Sequence, residues 1–84
     1  MMAALTASQN PNNRVILAER QARLGRKLLA TGNGRCNLTN RNMDPTHYYG
    51  EQRDFCAYAL KAFDTASTLA YFRSLGLLTV TEPS

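Results

Sequence analysis

The sequence predicts an α/β fold, beginning with half of a βαβ unit. Three observations predict it. Residues 1–8 are rich in Ala, Met and Leu, which are good helix formers. Gln9-Asn10-Pro11-Asn12-Asn13 follows, where Pro stops a helix and Asn tolerates left-handed backbone. Val15 to Ala18 is then a continuous apolar run with β-branched members. Runs of that kind fit a strand buried on both faces of a parallel sheet. Helix, turn and buried strand together make half of a βαβ unit.

Length and composition bound the function. The chain has 84 residues, which is one domain or less. A chain of this size buries only about 60% of its unfolded surface. Natural chains near this length usually add disulfides, a metal or a partner. Two cysteines, Cys36 and Cys56, and one histidine, His47, exclude a disulfide framework and a Cys/His zinc module. The composition is 44% apolar, 19% charged and 8% aromatic, ordinary for a globular chain and unlike a disordered one. No apolar run approaches the roughly 20 residues that cross a bilayer, so no membrane partner is expected. Residues 1–8 lack the basic start of a signal peptide. The expectation is a cytoplasmic protein with reduced thiols.

The net charge is +4, with eight arginines. Arg20, Arg23, Arg26 and Lys27 crowd into one stretch. Such a patch meets phosphates of a nucleotide or nucleic acid, or it is a solvated face.

The elements follow in order. Residues 1–8 have no N-cap and no preceding turn, so they read as the end of a first helix. Residues 14–19 read as a second strand that ends at Glu19. An acidic residue at that tip is where dinucleotide-binding folds hold a ribose, since a carboxylate accepts hydroxyl protons well. Many strands also end in Glu because water begins there. Residues 24–40 read as a loop region in which Gly25 breaks any long helix, and Lys27, Leu28 and Leu29 open either a short helix or an extended stretch that packs back on the sheet. Within it, Thr31-Gly32-Asn33-Gly34-Arg35-Cys36-Asn37-Leu38-Thr39-Asn40 is the most distinctive stretch. Gly32 and Gly34 permit positive φ and let backbone N–H groups converge on an anion. Arg35 adds a planar donor fork, and Asn37 and Asn40 add amides. A plain glycine turn is the competing reading. Residues 54–76 read as two helices. Phe55, Tyr58, Ala59, Ala62 and Phe63 are spaced for one face of the first. Asp64 or Thr65 caps the second, and Gly76 stands where a C-terminal glycine belongs. Residues 77–81 read as a strand.

Repeats, a hydrolase elbow, paired carboxylates and metal-ligand spacing are all missing from the sequence. Cys36 beside Arg35 has the neighbouring cation that lowers a thiol pKa. It has no histidine or second cysteine close in sequence, and no catalytic residue is assigned.

Two stretches, Val15-Ile16-Leu17-Ala18-Glu19 and Leu24-Gly25-Arg26-Lys27-Leu28-Leu29, lead into the Thr31 to Asn40 loop. In that order they closely resemble the BaiN-like (YhiN-like) NAD(P)/FAD-dependent oxidoreductases, a group that includes aminoacetone oxidase-like flavoproteins. Phe63-Asp64 through Tyr71-Phe72-Arg73-Ser74-Leu75-Gly76 fits as well, so the resemblance covers nearly the whole chain. It implies an incomplete Rossmann-like, FAD-binding βαβ fragment of a larger flavoprotein. It implies FAD and a small-molecule substrate as partners in the complete protein, NAD(P)H as reductant, and no nucleic acid. Glu19 matches the acid expected to hold the adenosine ribose. Arg20 and Lys27 match basic positions beside the nucleotide. Gly32, Asn33, Gly34, Arg35, Cys36 and Asn37 match the loop expected along the pyrophosphate and flavin.

Members of that family start with a strand and a Gly-x-Gly-x-x-Gly turn, and the sequence here contains neither. The expectation is therefore a fragment or truncated product that is poorly folded alone and binds FAD weakly or not at all. Two other readings stand beside it. A small basic nucleic-acid-binding module accounts for the charge but not for Glu19 after an apolar run. An inactive truncated product accounts for the length.

Overall fold

The computed structural model describes residues 1–83, with the side chain of Asn33 excluded. The chain divides into two compact units, Met1–Cys36 and Asn37–Ser84.

In the first unit, helix α1 spans Met2–Ser8. Its last carbonyls have no helical partners and must find others. The Asn-rich turn supplies them. The N–H groups of Gln9 and Asn10 donate to Thr6 and Ala7 oxygens at 3.2 and 3.4 Å. The Asn13 amide donates to the Ala7 oxygen at 3.0 Å. Asn10 Oδ1 accepts from the Asn12 N–H at 3.0 Å, which tightens the turn.

Residues 14–19 form no strand, contrary to the expectation of a doubly buried one. Ile16 is 77% exposed. The reason is pairing. A strand is defined by hydrogen bonds to a neighbour, and no segment among the described residues pairs with this one. Gly25 then turns the chain with φ +69°. Its carbonyl accepts from Leu29 at 3.0 Å as the short helix α2, Arg26–Leu29, begins. A single 3₁₀ turn, Gly32–Gly34, closes with the Arg35 N–H on the Gly32 oxygen at 3.0 Å.

In the second unit, Asp44 caps a 3₁₀ turn over Pro45–His47 by accepting from the Thr46 N–H at 2.9 Å. A 3₁₀ turn over Arg53–Cys56 leads into α3, Ala57–Ala62, and then α4, Thr65–Ser74. The sequence placed Phe55 and Tyr58 on a covered face. They are 86% and 84% exposed, and Cys56, Ala57 and Leu60 are the half-buried residues instead. The segment opens as a tighter 3₁₀ turn, which shifts the side-chain positions away from the α-helical spacing assumed for a continuous helix.

Helix α4 is closed at both ends by residues the sequence marks. Asp64 Oδ1 accepts from the Ser67 N–H at 2.8 Å, an N-cap bond. At the other end Gly76 has φ +90°. The Gly76 N–H donates to Arg73 at 2.9 Å and the Leu77 N–H to Phe72 at 3.0 Å. That pair of bonds is the Schellman motif. Thr65 Oγ1 donates to the Asn40 oxygen at 2.6 Å and tethers the loop before it. Tyr71 packs edge-on against Phe63 and Phe72, at 6.1 and 5.5 Å between ring centres. Residues 77–81 form no strand. Beyond the Leu77 N–H bond, Arg41 Nη2 donates to Thr81 Oγ1 in this segment at 3.0 Å.

The described residues thus hold helices and turns but no strand, so they do not assemble the expected α/β sheet. Nor is any described residue fully buried. The accessible surface is 8108 Å², against about 5000 Å² for a folded domain of this mass. Hydrophobic burial, the dominant favourable contribution to most folds, is small here.

Two outcomes follow. Heating the chain while following ellipticity at 222 nm gives a shallow, non-cooperative loss, and a sharp transition with a calorimetric peak contradicts this account. Asp64 gives the second. The Ser67 N–H holds its carboxyl below the ordinary carboxylate pKa. A lowered folded-state value stabilises the helix above the unfolded value and is lost as pH falls through the lowered one. Helicity therefore drops on acidification below about pH 4. Asp64→Asn keeps the cap and shrinks that acid step, whereas Asp64→Ala lowers helicity already at neutral pH.

Candidate functional site

An open cleft of about 520 Å³ lies within the first unit. Met1, Leu17 and Leu24 give it apolar surface. Glu19, Arg20, Gln21, Arg26 and Lys27 give it one carboxylate, one amide and three cations, and Gly25 completes it. These residues meet because the chain leaves the apolar run at Glu19 and turns at Gly25, where a left-handed φ suits a residue without Cβ. Glu19 Oε1 accepts from the Gln21 N–H at 2.8 Å. Gln21 Oε1 in turn accepts from Arg26 Nη1 at 2.8 Å. An acid, an amide and a guanidinium are thereby linked along one wall.

The cleft brings together Glu19, Arg20 and Lys27 from the sequence-predicted residues. Gly32, Gly34, Arg35 and Cys36 do not line it, and Asn37 belongs to the second unit. The Asn33 side chain lies outside the described residues. The loop also differs from the expectation in its backbone. Gly34 is left-handed at φ +66°, but Gly32 is not. The Arg35 N–H is committed to the Gly32 oxygen, so that donor is turned onto the loop itself rather than toward an anion. The Asn40 amide oxygen is also engaged locally, accepting from the Asn42 N–H at 2.8 Å. Space beside the glycines is open, with nothing within 4 Å of a Cβ built at Gly32 or Gly34.

Sequence reasoning counted Arg26 in the basic cluster without assigning it a site and passed over Gln21. The signal for Gln21 was its position two residues after Glu19, where its N–H is within reach of the preceding side chain.

Charge divides unequally. Residues 1–36 carry six cations and the single acid Glu19, a net +5, whereas residues 37–84 carry four cations and five acids, a net −1. The whole positive excess therefore sits in the unit that contains the cleft. Among the described residues no group of three His, Cys, Asp or Glu side chains is placed to hold a metal. No helix among them is long and apolar enough to cross a membrane.

Residues 1–84 match the HI0933-like protein Rossmann domain. The chain belongs to this family. Membership agrees with the BaiN-like resemblance carried by the Gly25 to Leu29 and Thr31 to Asn40 segments. A 3-dehydro-bile acid delta(4,6)-reductase from Clostridium scindens is 45% identical over 80 residues, covering 94% of the chain and 20% of that protein. A ribosomal RNA dihydrouridine synthase from Escherichia coli is 42% identical over 50 residues, covering 60% of the chain and 12% of that protein. The chain thus spans a fifth or less of the length of these relatives. No solved structure matches. The HI0933-like sequence is accordingly a Rossmann-family one whose described residues close their turns but pair no strands.

The left-handed Gly25 gives a test of the cleft's geometry. Gly25→Ala places a Cβ in a left-handed conformation, a penalty of roughly 1–2 kcal/mol. Its Cβ meets only Met1 Cε, at 3.5 Å, so the backbone sets the cost. Cα chemical shifts of residues 26–29 are expected to move toward random coil in that variant.

Proposed function

We propose that the chain supplies the adenosine side of an FAD site in an FAD-dependent oxidoreductase of the HI0933-like family. The observation that carries this is the meeting of Glu19, Arg20 and Lys27 in one cleft. The donor set suits the ligand. A carboxylate accepts from ribose hydroxyls, cations meet phosphate oxygens, and the apolar side chains of Leu17 and Leu24 suit an adenine face. The bond from Gln21 holds one Glu19 oxygen in place, which lowers the ordering needed when a ribose arrives. Arg20 and Lys27 offset the pyrophosphate charge. Gly32, Asn33, Gly34, Arg35, Cys36 and Asn37 form the loop that follows the cofactor toward its flavin end, and the open space at Gly32 and Gly34 suits a close backbone approach.

When bound, the flavin supplies hydride transfer, with NAD(P)H as reductant, and the protein supplies position and electrostatics. The name of the C. scindens relative, a reductase of a 3-dehydro-bile acid, favours a small organic substrate. The chain itself contributes binding rather than an identifiable acid, base or nucleophile.

One observation favours a second reading. The first unit's net +5 suits a polyanion, and the E. coli relative is named for an action on ribosomal RNA. That reading assigns the same cations to RNA phosphates.

Amide shifts separate the two. Titrated with FAD, the chain binds weakly, and the perturbed amides cluster at Glu19, Arg20, Gln21 and Lys27. FMN, which lacks the adenosine half but keeps a phosphate, leaves Glu19 and Gln21 unmoved. If neither FAD nor adenosine perturbs them, the nucleotide reading fails. If instead a single-stranded RNA binds with affinity falling steeply with salt while FAD does nothing, the second reading takes its place.

A further inference from the structure

Within the cleft, Gln21 is the polar residue that the nucleotide reading gives no ligand. It makes two hydrogen bonds from different parts of itself. Its backbone N–H donates to Glu19 Oε1 and its side-chain Oε1 accepts from Arg26 Nη1, both at 2.8 Å. One residue therefore restrains the cleft's only carboxylate and one of its guanidinium groups.

The chemistry of the second bond matters. A guanidinium carries five N–H donors in a fixed plane. Gln21 takes one of them and leaves a charged, planar fork for a ligand. Its oxygen is neutral, so the positive charge of Arg26 is oriented without being cancelled. A free arginine side chain on an exposed surface has large rotamer freedom, and ordering it on binding weakens affinity. Gln21 does part of that ordering beforehand.

We propose that Gln21 is a positioning residue that presents Arg26 to a phosphate of the bound nucleotide, while Glu19 meets the ribose; this rests on the nucleotide reading above. The backbone bond to Glu19 survives any substitution that keeps the N–H, so a side-chain change tests the arginine arm alone.

The test uses the full chain, with ADP and adenosine as probes and amide shifts as the readout. Gln21→Ala weakens ADP binding about three- to tenfold, the value of one modest hydrogen bond, and leaves adenosine unchanged. Arg26→Ala weakens ADP binding by at least as much. In the Arg26→Ala background, adding Gln21→Ala changes nothing further, because the first residue acts through the second. The Arg26 Nε–H resonance, dispersed in the parent chain, collapses toward the random-coil position in Gln21→Ala without ligand. A purely structural role for Gln21 lowers ADP and adenosine binding together and leaves no such non-additivity, and that result overturns the assignment. So does ADP affinity unaffected by Gln21→Ala, which leaves the nucleotide reading intact. If ADP and adenosine both fail to bind the parent chain, the nucleotide reading and this assignment fall together.

Discussion

Short-range hydrogen bonding carries this structure. The turn after α1, the cap at Asp64, the closure at Gly76 and the 3₁₀ turn at Gly32–Gly34 are each completed within a few residues of sequence. None needs a distant partner. Such bonds exchange protein for water as partner and gain modestly each. With no buried apolar core among the described residues to add to them, the elements stand by virtue of their own ends. That explains which elements form. Helices and turns satisfy themselves locally, whereas a strand cannot. The same constraint reaches the cleft, whose wall is fixed by two consecutive short-range bonds at Gln21.

What could be read in the sequence follows the same division. Asp64 and Gly76 mark the ends of a helix because caps are chemistry between near neighbours, and their geometry agrees with that reading. The Asn-rich turn at 9–13 was visible for the same reason. Val15 to Ala18 and residues 77–81 were read as strands from composition. Composition states a preference for burial and cannot provide the neighbour that makes burial possible. Phe55 and Tyr58 failed differently. Their spacing assumed an α-helical period where the chain begins with a 3₁₀ turn. In the candidate site, Glu19 was legible as an acid at the end of an apolar run and Arg20 and Lys27 as members of a basic stretch, whose place beside a nucleotide came only from the family resemblance. Gln21 was passed over: its spacing from Glu19 hinted at the backbone bond, but nothing in a neutral amide announces the side-chain bond to Arg26.

The charge distribution gives the site a direction. A net +5 over the first 36 residues favours anions at the unit that holds the cleft, and under the proposed nucleotide reading the single carboxylate within it meets hydroxyls beside phosphate. An isolated basic patch has no such selectivity. The pairing of one acid with several cations is therefore more informative than the total charge of +4.

The exposed run from Val15 to Leu17 bears on solubility. Its backbone is not used in a ladder and its side chains face water, so it offers an edge to which a second molecule can pair. Arg14 stands at one end of the run and Arg20 and Arg23 lie beyond the other. Charges flanking an apolar segment act as gatekeepers, because two copies brought together bring their cations together too. Salt screens that repulsion within a few ångströms at molar concentration. The guard is thus electrostatic and the attraction is not, so rising ionic strength is expected to weaken the guard while leaving the attraction in place.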